Sequence, residues 1–203
     1  MKSSWISSAA PRQLARSALS LLLALLPSTA QAGRLKLAEP EEVTNLFLSP
    51  QHSRWLVGPI SQIATRQEIA SYLELHSDQE ADRFIERFWA RRGPEVEWPK
   101  KGVRQLFEER AREADKLFSE AVYLGQQTHR GTIYVLYGPP EETRFEVSAK
   151  PGAPTVEIWS YPKGTEAGLD GRSPSRTYRF AKRGDLTVFY LGPIRRSLTF
   201  DSG

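Results

Sequence analysis

The chain has 203 residues, with 28 Lys and Arg against 24 Asp and Glu, three His, a formal net charge of +4, one Met and no Cys. The missing cysteines exclude disulfide staples, a lipid-bearing N-terminal cysteine and thiolate metal sites, so packing must supply the stability. The basic excess is no argument for nucleic acid: Lys2, Arg12 and Arg16 lie in a segment that reads as removable, and without them 25 basic residues face 24 acidic ones.

That segment is residues 1–32. Its three cations precede a nine-residue apolar run, Ala18 to Leu26, which Pro27 breaks; Ala30-Gln31-Ala32 then offers small residues at the positions a signal peptidase reads. Nine residues are far short of the ~20 that span a bilayer. The expectation is a Sec-type leader cleaved after Ala32, a secreted or periplasmic protein, and no membrane span after cleavage.

Residues 33–60 read as a partly ordered lead-in, punctuated by Pro40 and Pro50, in which Val43, Leu46, Phe47 and Leu48 are apolar enough to dock and Trp55-Leu56-Val57 suits an extended segment. A main domain is expected over residues 61–193, with a tail over 194–203. Thr65-Arg66-Gln67-Glu68 and Ser77-Asp78-Gln79-Glu80 both have capping-box spacing, in which a hydroxyl accepts from the third backbone N–H and the Glu reaches back. Ala81, Phe84, Ile85, Phe88 and Trp89 follow the second box on one helical face, and Gly93-Pro94 stops it. A third helix runs from about Val103 to Ser119, with Val103, Leu106, Phe107, Ala111, Ala114, Leu117 and Phe118 along one stripe.

Beyond Gly125 the rhythm shortens to two. β-Branched and aromatic content predicts strands over 132–137, 142–148, 155–161, 176–182 and 186–191. Phe145 and Val147 alternate with Arg144, Glu146 and Ser148, Tyr178 and Phe180 with Arg179, and Leu186, Val188 and Tyr190 with Thr187 and Phe189. Arg183-Gly184-Asp185 turns the last pair, and residues 162–175 form a loop. Helices first and strands afterwards imply an α+β fold: about three helices packed on an antiparallel sheet of about five strands.

Four segments together resemble the GWxTD-domain family of exported bacterial proteins. Phe88-Trp89-Ala90-Arg91-Arg92-Gly93-Pro94 is similar to its FWxxRDP helix end. Phe107, Arg110, Ala114 and Phe118 match its next helix. Arg130 to Glu142 is similar to RGxIYILYGPPDE, and Glu157-Ile158-Trp159-Ser160-Tyr161 to EIWxY. The name-giving motif falls on Gly125 to His129, with Gln126 where the family has Trp and His129 where it has Asp; Gly93 replaces a further Asp. The resemblance implies export and an α+β fold. It implies no established activity, and any activity carried by that Trp and those Asp residues would be lost here.

The chemistry legible in the residues is sparse. His52, His76 and His129 lie in separate segments without metal-ligand spacing, so neither a metal nor a cofactor is expected. No phosphate loop, nucleophile elbow or zincin motif occurs. Thr128-His129-Arg130 is the leading polar cluster, and Gly138-Pro139-Pro140 with Glu141 forms a rigid rim beside it in sequence. Two functions are weighed. One is a non-catalytic interaction module whose binding residues are Thr128, His129, Arg130, Pro139, Pro140 and Glu141, meeting an envelope or secreted protein through the rim or a sheet edge. The other is an envelope hydrolase of carbohydrate or peptide, with His129 as base beside a carboxylate such as Glu141. A nucleic-acid partner is not expected.

Overall fold

Prolines and caps set the helical layer. The fold is that of a computed structural model, which describes residues 36–93, 102–147, 149 and 151–192. A 3-10 turn over Pro40–Val43, helix α1 over Pro50–Ser53 and helix α2 over Pro59–Ile63 each begin with a proline, whose missing N–H is unneeded in a first turn. Helix α3, Arg66–Leu73, carries the reciprocal box foreseen at Thr65: the Thr65 hydroxyl accepts from Glu68 N–H at 3.2 Å, and the Glu68 carboxylate accepts from Thr65 N–H at 2.8 Å. Helix α4, Asp78–Ala90, starts at Ser77, but Glu80 reaches one residue further back, to His76 N–H at 3.1 Å. Helix α5 spans Val103–Phe118.

The lead-in packs into the same core as the rest. Val43, Leu48, Leu56, Val57 and Ile60 are buried with Tyr72, Phe88 and Trp159, whereas Leu46 and Phe47 stay exposed. Trp55-Leu56-Val57, expected to be extended, turns between α1 and α2.

One expectation is overturned outright. Residues 132–137 are not a strand; His129–Tyr137 is helix α6. Thr128 caps it, accepting from Gly131 N–H at 3.1 Å, and Gly138, with φ 82, ends it. From Gly131 to Leu136 every residue is buried. A helix enclosed on all sides is apolar all round, so its residues show no amphipathic stripe, and a short apolar run cannot be told from a strand by period. Tertiary packing then outweighs the strand preference of Ile133 and Val135. A Cβ on Gly131 would lie 1.8 Å from the Gly125 carbonyl oxygen, and one on Gly125 would lie 1.9 Å from that of Ala114. These glycines allow α6, the 3-10 turn Gly125–Gln127 and α5 to touch through backbone.

Among the described residues the sheet therefore has four strands, not five, and there are six α-helices rather than three. Strands β1 (Glu142–Glu146), β2 (Val156–Ser160), β3 (Thr177–Arg183) and β4 (Leu186–Phe189) make an antiparallel meander in chain order. Trp159, Tyr161, Tyr178, Phe180 and Phe189 face the helices, and Trp159 meets Phe118 with ring centroids 5.4 Å apart. Val156, Ile158 and Ala181 pack on the opposite face. Phe145 and Val147, which alternate with polar neighbours in the sequence, are 64% and 80% exposed, so their apolar side is left uncovered.

The leader and its Ala32 cleavage site, residues 94–101 of the expected loop, Ser148 and the tail lie outside the described residues. Among the described residues no helix is long and apolar enough to cross a membrane.

Candidate functional site

Helix α6 carries the sequence-predicted residues at its two ends, and each end meets one edge of the sheet. Nine residues at about 1.5 Å each put roughly 12 Å between those ends. Thr128, His129 and Arg130 gather at the first; Pro139, Pro140 and Glu141 follow the second.

At the first end, His129 Nδ1 accepts from Phe189 N–H at 2.9 Å, and the ring lies against Phe189, centroids 4.8 Å apart. An amide can only donate, so this geometry places the imidazole proton on Nε2 and needs the neutral ring. Burial pushes its pKa below the ordinary 6.5, which keeps it in that form. Glu120 serves the next outward amide: its carboxylate accepts from Thr187 N–H at 2.6 Å and from the Thr187 hydroxyl at 2.8 Å.

The strand pairing shows what these two acceptors do. Tyr190 N–H donates to Arg179 carbonyl, so Arg179 and Ala181 turn their backbone groups toward β4. Their partners Tyr190 and Val188 point inward, and Thr187 and Phe189 point out of the sheet. Both outward N–H groups of β4 are thus taken by side chains, and the edge has no donor left for another strand.

Arg130 ties this closure together. Its guanidinium donates to Glu120 and, at 3.1 Å, to Glu157; Glu157 also accepts from the Trp159 indole at 2.7 Å. All three charged side chains are mostly buried, the Arg130 Nε has no partner, and the guanidinium lies 5.3 Å from the centre of the Phe118 ring. Glu120 and Glu157 escaped the sequence reading. Glu157 did leave a signal: a carboxylate two residues before Trp159 in an apolar strand faces inward with it and requires a cation. Glu120 lies in an irregular connection without one.

At the second end, the Tyr161 hydroxyl donates to the Gly138 carbonyl at 2.8 Å, and Arg110 donates to the carbonyls of Val135 and Leu136, each at 3.1 Å, completing the last turn of α6. Pro139 and Glu141 are exposed, Pro140 is half-buried, and Glu141 N–H donates to the Ser160 carbonyl at 3.0 Å. The rim thereby delivers the chain into β1. Tyr161 N–H donates to Arg176 carbonyl, so Tyr161, Trp159 and Glu157 turn their backbone toward β3, and Val156, Ile158 and Ser160 turn theirs toward β1. Their partners are Glu146, Arg144 and Glu142, which leaves the backbone groups of Thr143 and Phe145 pointing outward. Among the described residues neither meets a side-chain acceptor or donor, and every residue of β1 is exposed.

Two further clusters are structural ties. His52 is buried between Asp78, at 3.3 Å, and Asp82, at 2.9 Å, joining α1 to α4. Arg91 and Arg92 both pair with Glu68 at 2.8 Å, so a specific carboxylate supplements the favourable placing of cations at the C-terminal end of α4. The hydrogen bond from Arg92, before the other contacts, holds the Glu68 pKa at about 2. Among the described residues no group of three or more His, Asp or Glu is placed to hold a metal ion.

The family model of the GWxTD domain matches residues 35–183. No curated protein and no solved structure matches the chain.

Proposed function

The chain belongs to the GWxTD-domain family, and we propose that it is an exported interaction module that docks an extended segment of a protein partner on the open edge of its sheet. The single observation behind this reading is the asymmetry of the edges. β4 has its outward donors occupied by Glu120 and His129, while β1 presents those of Thr143 and Phe145 to solvent beside an exposed aromatic side chain. Main-chain pairing to such an edge supplies affinity, and alternate side chains supply selectivity. Export rests on the leader pattern in residues 1–32. In this reading Pro139, Pro140 and Glu141 position β1, and Thr128, His129 and Arg130 close the other side.

The hydrolase alternative, with His129 and Glu141, is less well supported. Nδ1 of His129 is engaged by Phe189 N–H, and α6 stands between His129 and Glu141. Unchanged turnover of any envelope carbohydrate or peptide by a His129→Ala protein would remove it.

The test of the edge reading is Phe145→Pro. Proline is tolerated on an edge strand where its N–H faces solvent, so the fold survives while pairing is blocked. Affinity capture from the cell envelope with wild type and variant, matched for melting temperature, should show a partner present only with wild type. Identical partner sets would defeat the proposal.

A further inference from the structure

The partner most compatible with β1 is β1 itself. Resting on the open-edge reading above, we infer that two copies of the chain associate through antiparallel pairing of their β1 strands about a two-fold axis at Phe145, merging two four-stranded sheets into one of eight.

The register follows from which groups are free. Only Thr143 and Phe145 turn their backbones outward, so a paired strand must bond to these residues. A two-fold midway between them would place Arg144 against its own copy and Glu142 against the other copy's Glu146, which sets like charges opposite each other. A two-fold at Phe145 removes both conflicts. It sets Phe145 against Phe145, Arg144 against Glu146 in both directions, and Thr143 against Val147. The exposed apolar side chains, Phe145 at 64% and Val147 at 80%, then meet on one face. The charges meet on the other, where Glu146 is already held 2.7 Å from Arg179. Both helical layers would lie on the same side of the merged sheet, and the bare helix-facing side of β1 leaves room for them. β4 cannot pair in this way, because its outward amides are occupied.

A strand of five residues buries little area, so the association is weak and shows only at high protein concentration. The absence of cysteine makes a direct test simple. Opposed residues in an antiparallel pair have Cα atoms about 4.5–5.5 Å apart, within disulfide reach. Under mild oxidation Phe145→Cys should form a reducible dimer and Thr143→Cys should not. Equal cross-linking of both, or of Thr143→Cys alone, overturns the Phe145-centred register. In sedimentation, Arg144→Glu and Glu146→Lys proteins should each associate about tenfold more weakly than wild type, and an equimolar mixture should recover, because only the mixed pair opposes unlike charges. A mixture no tighter than its components overturns the inference. Wild type that stays monomeric throughout also overturns self-pairing, but leaves edge docking standing if Phe145→Pro still abolishes capture of a partner; loss of both results removes both.

Discussion

β4 ends the sheet against the helices, with Thr187 and Phe189 N–H held by Glu120 and His129. β1 ends it in solvent, with the equivalent groups of Thr143 and Phe145 unpaired among the described residues and all five residues exposed. The same meander thus finishes one edge as interior and the other as surface. An unpaired edge invites other strands, and proteins usually block it with charges, bulges or cover. Here two side chains from outside the sheet block β4, while β1, among the described residues, has neither cover nor proline and is guarded by the charges of Glu142, Arg144 and Glu146 alone, which a strand of matching charge can pair. The closed edge is where stability is invested, and the open one is where a partner can be met without disturbing the core.

This contrast can be broken most severely at Glu120. Replacing it with Ala strands Arg130 beside Glu157 alone and frees Thr187 N–H. Removal of one member of a buried ion pair typically costs 3–5 kcal/mol, so a loss of about 3 kcal/mol and roughly 6–12 °C in melting temperature is expected by calorimetry. A loss under about 0.5 kcal/mol, the level of an ordinary surface change, would mean that the closure is not structural.

At His129 the effect should be smaller and chemically selective. His129→Ala leaves the Phe189 amide without its acceptor, at about 1–2 kcal/mol in denaturant titration. His129→Asp should retain most of that stability, since a carboxylate at the first turn of α6 can accept the same N–H and suits the helix dipole. The family pattern has Asp at this position, so an equally damaging Asp would show that the hydrogen bond is not what the position requires. The pH dependence follows from the same contact. A folded pKa below 6.5 means that the unfolded chain takes up the proton first. The contribution of His129 is full above pH 6.5 and declines as pH falls from there toward the folded value. His129→Asp should flatten this dependence; an unchanged stability profile between pH 7 and 5, relative to wild type, would contradict the neutral-imidazole role.

Glu68 gives a control, since its partners Thr65, Arg91 and Arg92 belong to neither edge strand. With its pKa held at about 2 in the fold against 4.5 unfolded, its contribution is present above pH 4.5 and is lost as pH falls toward 2. Glu68→Gln should therefore lower stability by about 1–3 kcal/mol at neutral pH and by much less near pH 2. The smallest effect is expected at the open edge: Phe145→Ser should alter unfolding free energy by no more than about 0.5 kcal/mol while weakening association. A large loss of fold stability there would place Phe145 in the core and close the difference between the edges.

Much of this arrangement could be read along the chain. Thr65 and Ser77 announced two helices because a hydroxyl followed three residues later by Glu satisfies backbone groups locally. The Ala81-to-Trp89 face was legible because one side of that helix is buried. In β3, Tyr178 and Phe180 alternate with Arg179 for the same reason. Phe145 also alternates, yet it lies in the open, since periodicity reports which side of a strand is apolar and not whether anything covers it. Residues 132–137 misled in the opposite way: all but Tyr137 are buried, so period vanished and strand propensity stood alone. Their helical character was still marked at the boundaries, by Thr128 as a cap and Gly138 as a stop.

The sequence by itself determined the local grammar: the α+β order of elements, the caps, the meander and the absence of thiol chemistry, all of which depend on neighbours a few residues apart. Tertiary structure decided the rest. It made residues 129–137 a helix by surrounding them, and it brought Glu120, His129 and Arg130 onto strands that lie 27 to 67 residues away in the chain. It also left β1 as the uncovered edge. Those outcomes depend on which surfaces meet when the chain closes on itself, and no pattern of adjacent residues encodes that meeting directly.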